Sequence, residues 1–232
     1  FDTNLLLLNI KRAIDNATLK SKVNQISDDL IFIGKSNVAQ TIKSLIDKVA
    51  PTQSRVFLFG PTGSGKKHIS KLIHNNSSRS TGAIIFFNTK RLTPESIEEE
   101  LFGKENKDGS PERIGLLEQA HNGTIFIDEV ANLCNKSQRR LIKLITENRF
   151  TRVGGKFSVE VDVRIISASS KNIQDLIKKN IFSEDLFYRL NVVPIKVPAL
   201  KDRIEDIPEL INYFLKTCSK SPGLANKSLT KE

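Results

Sequence analysis

The stretch RVFLFGPTGSGKKHISKLIH, residues 55–74, decides how this chain folds. Its first half is an apolar strand, Val56 to Phe59, and its second half reads as a helix beginning near Lys66. Between them, residues 60–66 match the pattern G-x-x-x-x-G-K. Gly60, Gly63 and Gly65 let backbone N–H groups turn inward around an anion, with Pro61, Thr62 and Ser64 completing the loop. The helix start adds its partial positive charge, and Lys66 can reach the β- and γ-phosphates of a nucleotide. Lys67 stands where such loops usually place a serine or threonine. On these residues alone, a glycine-rich turn entering a helix remains the plain alternative.

Further along, GTIFIDEV (residues 123–130) is an apolar strand that ends in Asp128 and Glu129. A carboxylate at the C-terminal tip of a neighbouring strand can hold Mg²⁺, and the next one can orient an attacking water. An acidic pair after a strand can also serve as a helix cap. Cradle and pair, in this order on these elements, make ATP–Mg²⁺ binding the reading.

The rest of the chain frames that site. Residues 3–26 read as one helix, with Leu6, Ile10, Ala13, Ile14 and Ala17 at helical spacing. From Leu30 onward, the apolar segments RVFLF, AIIFF, GTIFI and VRIISAS alternate with helical or loop stretches. That pattern predicts an α/β fold with a parallel sheet flanked by helices. FTRVGGKFSVEV reads as a hairpin turned at Gly154 and Gly155. After VVPIKVPAL the chain becomes helical and ends in a polar tail.

Composition sets the limits. With 232 residues the chain can bury a real core, and its longest apolar run, Leu5 to Leu8, is too short to cross a bilayer. No membrane partner is expected. The chain contains no methionine, so we expect an excerpt of a longer polypeptide. Cys134 and Cys218, like His68, His74 and His121, lack metal-like spacing, and a reducing cytoplasm is expected. The net charge of +10 is spread along the whole chain without interleaved aromatics. It therefore reads as solvated faces rather than a nucleic-acid groove.

The blocks LIFIGKS, RVFLFGPTGSGK, EEELFGKE, GLLEQAHNGTIFIDEV, RVGGKFSVEVDVRIISAS and FSEDLFYRLNVVPIKVPAL together resemble the AAA+ ATPase domain of sigma-54-dependent transcription activators. The resemblance covers about residues 30–215 and is nearest to NtrX-type response regulators. It implies a AAA+ P-loop NTPase domain over residues 30–198. The end of a receiver domain and its linker helix would occupy 1–29, and the start of an incomplete helical lid 199–232. Members usually carry a glutamate after the cradle lysine, so Lys67 alone does not mark a dead site. By the same likeness, Ile33 and Gly34 contact adenine, and Asn88 engages the catalytic Glu129. Ser170 takes the place of a polar sensor, and Arg189 acts as a trans arginine finger on the neighbouring subunit's γ-phosphate.

Three departures qualify the likeness. The family's sigma-54 remodelling loop should follow ELFGKE, but the chain reads NKDGSPERI and reaches GLLEQAH early. Ser183 replaces an interface arginine, and Ser170 an asparagine; both changes suit weak hydrolysis. The expected function is that of an ATP-binding, weakly hydrolysing domain in a two-component regulator of transcription. Its expected partners are further copies of itself, as a dimer or ring, and a sensor histidine kinase acting through a receiver domain. DNA would be bound through a C-terminal domain, and RNA polymerase is a further candidate partner. The rival is a non-hydrolysing scaffold that acts through DNA binding. A general P-loop chaperone or protease subunit is disfavoured, because no pore aromatic motif is found.

Overall fold

Five apolar segments make one parallel sheet in the computed structural model, which describes residues 31–90 and 92–219. The helix expected over residues 3–26, the receiver end and linker over 1–29, and the tail beyond 219 lie outside the described residues. The sheet strands are β1 (Val56–Phe59), β2 (Ile84–Asn88), β5 (Thr124–Asp128), β8 (Arg164–Ser169) and β9 (Val193–Lys196), in the order β2-β5-β8-β1-β9. All adjacent pairs run parallel. The first four are the segments singled out above, with ends shifted by a residue.

Both faces of the sheet are covered, which explains why these strands are apolar at nearly every position. Successive side chains point to opposite sides. Phe57, Ile125, Ile127 and Ile165 therefore enter one core. Val56, Leu58, Phe126, Ile166, Ala168 and Ile195 enter the other. Helices α1 (Asn37–Val49) and α2 (Lys66–Asn75) close the second core with Ile42, Ile46, Ile69 and Ile73. Helices α3 (Pro94–Phe102), α4 (Leu116–Gln119), α5 (Asn135–Glu147), α6 (Ile173–Lys178) and α7 (Glu184–Leu190) close the first.

Two small hairpins stand apart from the sheet. β3 (Lys104–Glu105) and β4 (Pro111–Arg113) form one, and β6 (Arg149–Thr151) and β7 (Ser158–Glu160) the other. The second is the hairpin expected around Gly154 and Gly155. Its partner residues Thr151 and Ser158 bound a loop longer than a tight two-residue turn, with Gly154 at φ +75°. A 3₁₀ turn over Leu200–Asp206 leads into α8 (Ile207–Ser219), the first helix of the expected lid. Among the described residues, no helix is long and apolar enough to cross a membrane.

Candidate nucleotide-binding site

The cradle joins β1 to α2, and its shape follows from its glycines. Gly63 and Gly65 hold φ of +82° and +101°, where a side chain would strain the backbone, and open space lies beside both. Gly60 is glycine for a different reason: an added methyl would collide with the Val197 carbonyl at the end of β9. The Gly60 N–H donates to the Ser169 carbonyl at 3.2 Å, which ties the loop to the tip of β8. Lys66 is buried and donates from Nζ to the carbonyls of Gly60 (2.8 Å) and Pro61 (3.0 Å). Burial lowers its pKa, an effect that Glu129 and Asp128 oppose and Lys90 reinforces. Ser64 is buried, and its Oγ has no hydrogen-bond partner.

Sheet order brings the acidic pair to this loop. β8 lies between β1 and β5, and the segments after β1, β2 and β5 face one cleft of about 480 Å³. Its lining includes Thr62, Gly63, Gly65, Lys66, Lys67, His68, Lys71, Lys90, Asp128 and Glu129. Asp128 keeps a buried Oδ1 without a hydrogen-bond partner, while Oδ2 accepts from Asn88 Nδ2 at 3.4 Å. Burial raises the Asp128 pKa against the pull of Lys66. Glu129 adopts the left-handed conformation, with φ 56° and ψ 49°. Its Oε2 accepts from the Ser170 N–H (3.0 Å) and Oγ (2.9 Å), and its Oε1 lies 3.5 Å from Lys90 Nζ. Burial pushes its pKa up, but the two Ser170 bonds and the charges of Lys66 and Lys90 bring it below the ordinary value. Asn88, expected to engage Glu129, turns instead to Asp128 and to the Lys90 N–H.

The Asp128 carboxylate has the chemistry a hard cation needs. An ionisable oxygen buried without a donor, facing a cradle for phosphates, is a hard ligand of the type Mg²⁺ prefers. Asp128 would hold it. Lys67 adds no ligand; its ammonium sits 4.6 Å from the centre of the Phe86 ring.

Residues 32–196 match the family described as the sigma-54 interaction domain. The chain belongs to this family. It is 37% identical over 235 residues to the nitrogen assimilation regulatory protein NtrX of Azorhizobium caulinodans, covering 100% of this chain and 52% of that protein. It is 40% identical over 240 residues to a putative NtrX-like response regulator of Rickettsia felis, covering 100% of this chain and 50% of that one. The chain thus spans about half the length of the curated relatives it matches. The crystal structure of NtrX from Brucella abortus in complex with ATP superposes with a TM-score of 0.83 at 38% identity, covering 99% of this chain and 50% of that one. The P-loop NTPase domain of an Escherichia coli sigma-54 activator shares the fold, with a TM-score of 0.52 at 18% identity over 72% of this chain and 99% of that one.

The remaining sigma-54-domain positions lie around the cleft rather than in it. Arg189, on α7, pairs with Asp185 one turn earlier at 2.7 Å, and its carbonyl accepts from Arg55. Ser183 caps α7 by accepting from the Leu186 N–H, and its own N–H donates to Gln138 Oε1 at 2.7 Å. The NKDGSPERI insert (residues 106–114) forms a tight turn over 106–110 and then strand β4, the turn closed by Asn106 N–H to the Ser110 carbonyl and by Ser110 to Asp108 Oδ1. Strand β3 is tied to the other hairpin through a bridge between Lys104 and Val153. Half-buried Arg152 binds both oxygens of Glu118 at 2.8 Å and reaches Glu105 at 3.3 Å.

Ile33 and Gly34 do not line the cleft but lie beside it. His68, in the first turn of α2, contacts the Ile31 carbonyl at 3.0 Å. Asp206 accepts from the Lys35 and Ser36 N–H groups and from Ser36 Oγ, each at 2.8 Å. Arg203 donates to the Ser64 carbonyl at 3.2 Å and lies over the Phe32 ring. Gly34, at φ +150°, has no room for a side chain beside Asp206 and Ala39. Sequence reasoning missed Arg203, Asp206 and Lys90. In KDRIED the first two look like surface charges, whereas Lys90 carried a usable signal: it stands two residues beyond a strand tip already assigned to the site.

Proposed function

We propose that this sigma-54-domain chain binds ATP with Mg²⁺ and hydrolyses it slowly, within a response regulator that controls transcription. The observation that carries the proposal is an unpartnered, buried Asp128 Oδ1 at the tip of β5 that shares one cleft with the glycine cradle and Lys66 after β1. The ATP complex of the Brucella NtrX supports it by likeness. On ligand entry Lys66 exchanges two backbone carbonyls for β- and γ-phosphate oxygens. Asp128 would hold Mg²⁺, which would neutralise phosphate charge there. Glu129, anchored by Ser170, orients and polarises the attacking water. Arg189 leaves Asp185 to act on the γ-phosphate of a neighbouring copy in a dimer or ring. The receiver end, the kinase that addresses it, and DNA binding by a further domain belong to the same proposal. So does the division of the chain at residues 29 and 198, with the lid beyond.

A second reading has its own observation. Both Glu129 oxygens are engaged, and Ser183 offers a cap rather than a guanidinium. A nucleotide-binding scaffold that never hydrolyses would show these features too. The deciding experiment measures ATP turnover by the full-length protein across a concentration series, beside Glu129→Gln. Turnover that rises with concentration and vanishes in the variant supports hydrolysis. Tight ATP binding with no turnover at any concentration selects the scaffold.

A further inference from the structure

We infer that Lys90 is a γ-phosphate ligand that lets the cleft distinguish a nucleoside triphosphate from a diphosphate. The inference rests on the nucleotide-binding reading above. Lys90 lies two residues past the tip of β2, and its Nζ sits 2.8 Å from Thr62 Oγ1 on the cradle and 3.5 Å from Glu129 Oε1. It therefore bridges the phosphate loop and the carboxylate assigned to the water. In a P-loop site the terminal phosphate must lie in that interval, because the attacking water stands between it and the general base. An ammonium already in this interval lies where γ-phosphate oxygens would arrive. A diphosphate ends short of it.

Lys66 cannot serve both ends. It arises from the first turn of α2, beneath the loop, and its Nζ is directed at the Gly60 and Pro61 carbonyls. Lys90 comes from the opposite side of the cleft and is only half-covered, so it has room to exchange partners. In the empty cleft its positive charge is balanced by Glu129. When the triphosphate binds, Lys90 passes to the γ-phosphate, and Oε1 of Glu129 becomes free to accept from water. Ser170 keeps Oε2 in place throughout. Lys67 and Lys71 are poorer candidates, because both ammonium groups lie over the Phe86 ring.

The test is calorimetric binding of a non-hydrolysable ATP analogue and of ADP, in excess Mg²⁺, to the full-length protein and its Lys90→Met, Lys90→Arg and Lys66→Ala variants. Lys90→Met should weaken the triphosphate about tenfold, the lower end for a charge-assisted contact at a partly exposed site, and change ADP less than about twofold. Lys90→Arg should recover most of the triphosphate affinity. A merely structural lysine that steadies Glu129 or Thr62 would move both ligands alike or neither, and either result overturns the inference. If Lys66→Ala binds both nucleotides as well as wild type, the nucleotide-binding reading itself falls, and the inference with it.

Discussion

Truncating Asp206 to alanine removes an acceptor on which three donors converge. The Lys35 and Ser36 N–H groups and Ser36 Oγ each lie 2.8 Å from its carboxylate, which is 0% exposed. Each hydrogen bond to a charged group contributes about 1.5–3 kcal/mol. The three share one carboxylate, and water can reach part of the vacated space, so simple addition overstates the loss. Arg203, 3.9 Å away, also loses its counter-ion, and breaking a buried pair from one side costs about 3–5 kcal/mol. These costs overlap rather than add, so the range for a one-sided loss sets the total at about 3–5 kcal/mol, or a fall in Tm of roughly 6–20 °C for a domain of this size.

Urea melts at a series of pH values read both the size and the cause. Burial alone would raise the Asp206 pKa, but the Ser36 and Lys35 bonds and Arg203 outweigh it and leave the folded value below the ordinary 3.8. A depressed carboxyl contributes stability above its unfolded pKa and loses it as pH falls through the folded one. The gap between wild type and Asp206→Ala should therefore stay constant from neutral pH down to about 5, and shrink below 3.8. A gap under about 1 kcal/mol at neutral pH, or one that is flat through the acid range, would refute the reasoning.

Other expectations are direct. Ser170→Ala removes one of the bonds that hold the Glu129 pKa down, so the acid limb of any ATPase pH profile should move to higher pH; an unmoved limb would show that Ser170 does not tune the base. Lys66→Ala should weaken both ATP and ADP binding about ten- to hundredfold by calorimetry. Arg152→Ala removes the guanidinium shared by the buried carboxylates of Glu118 and Glu105 and should cost about 3–5 kcal/mol in a denaturant melt, with no change in nucleotide affinity beyond that loss. The short 106–110 turn carries no aromatic side chain, so phosphorylated full-length protein should not drive ATP-dependent open-complex formation by sigma-54 polymerase on a supercoiled template.

Legibility in the sequence followed the range of each interaction. The strands and the cradle were readable because period-two apolarity and glycine spacing are local properties. So was the placement of Asp128 and Glu129 at a strand tip. Partner choice within the site was not readable, because it depends on strand order. That β8 inserts between β1 and β5 decides that Ser170, rather than Asn88, reaches Glu129. The tie between residues 34–36 and Asp206 spans most of the chain, and no spacing rule predicts it. Ser183 illustrates the same limit differently: its lost guanidinium was legible as chemistry, whereas its gain as a helix cap and as a donor to Gln138 was legible only in three dimensions.

The charge balance of the cleft joins these strands of argument. Lys66, Lys67, Lys71 and Lys90 face it, against only Asp128 and Glu129 among the carboxylates of its lining. Without a polyanion, such a surplus of like charge in one concave site is self-repelling, and the protein absorbs it by local pairing. Lys66 turns to two carbonyls, Lys67 and Lys71 to the Phe86 ring, and Lys90 to Thr62 and Glu129. A bound triphosphate would compete with every one of these contacts. Those that lie along its own path, on Lys66 and Lys90, would yield first, because a phosphate oxygen is a stronger acceptor than a carbonyl or a hydroxyl. Of the two, only the Lys90 exchange also frees an oxygen of the carboxylate that must meet water. Binding and activation of the base are thus coupled through a single ammonium group, which is why the charge at position 90 should matter more for the triphosphate than its distance from the cradle lysine would suggest.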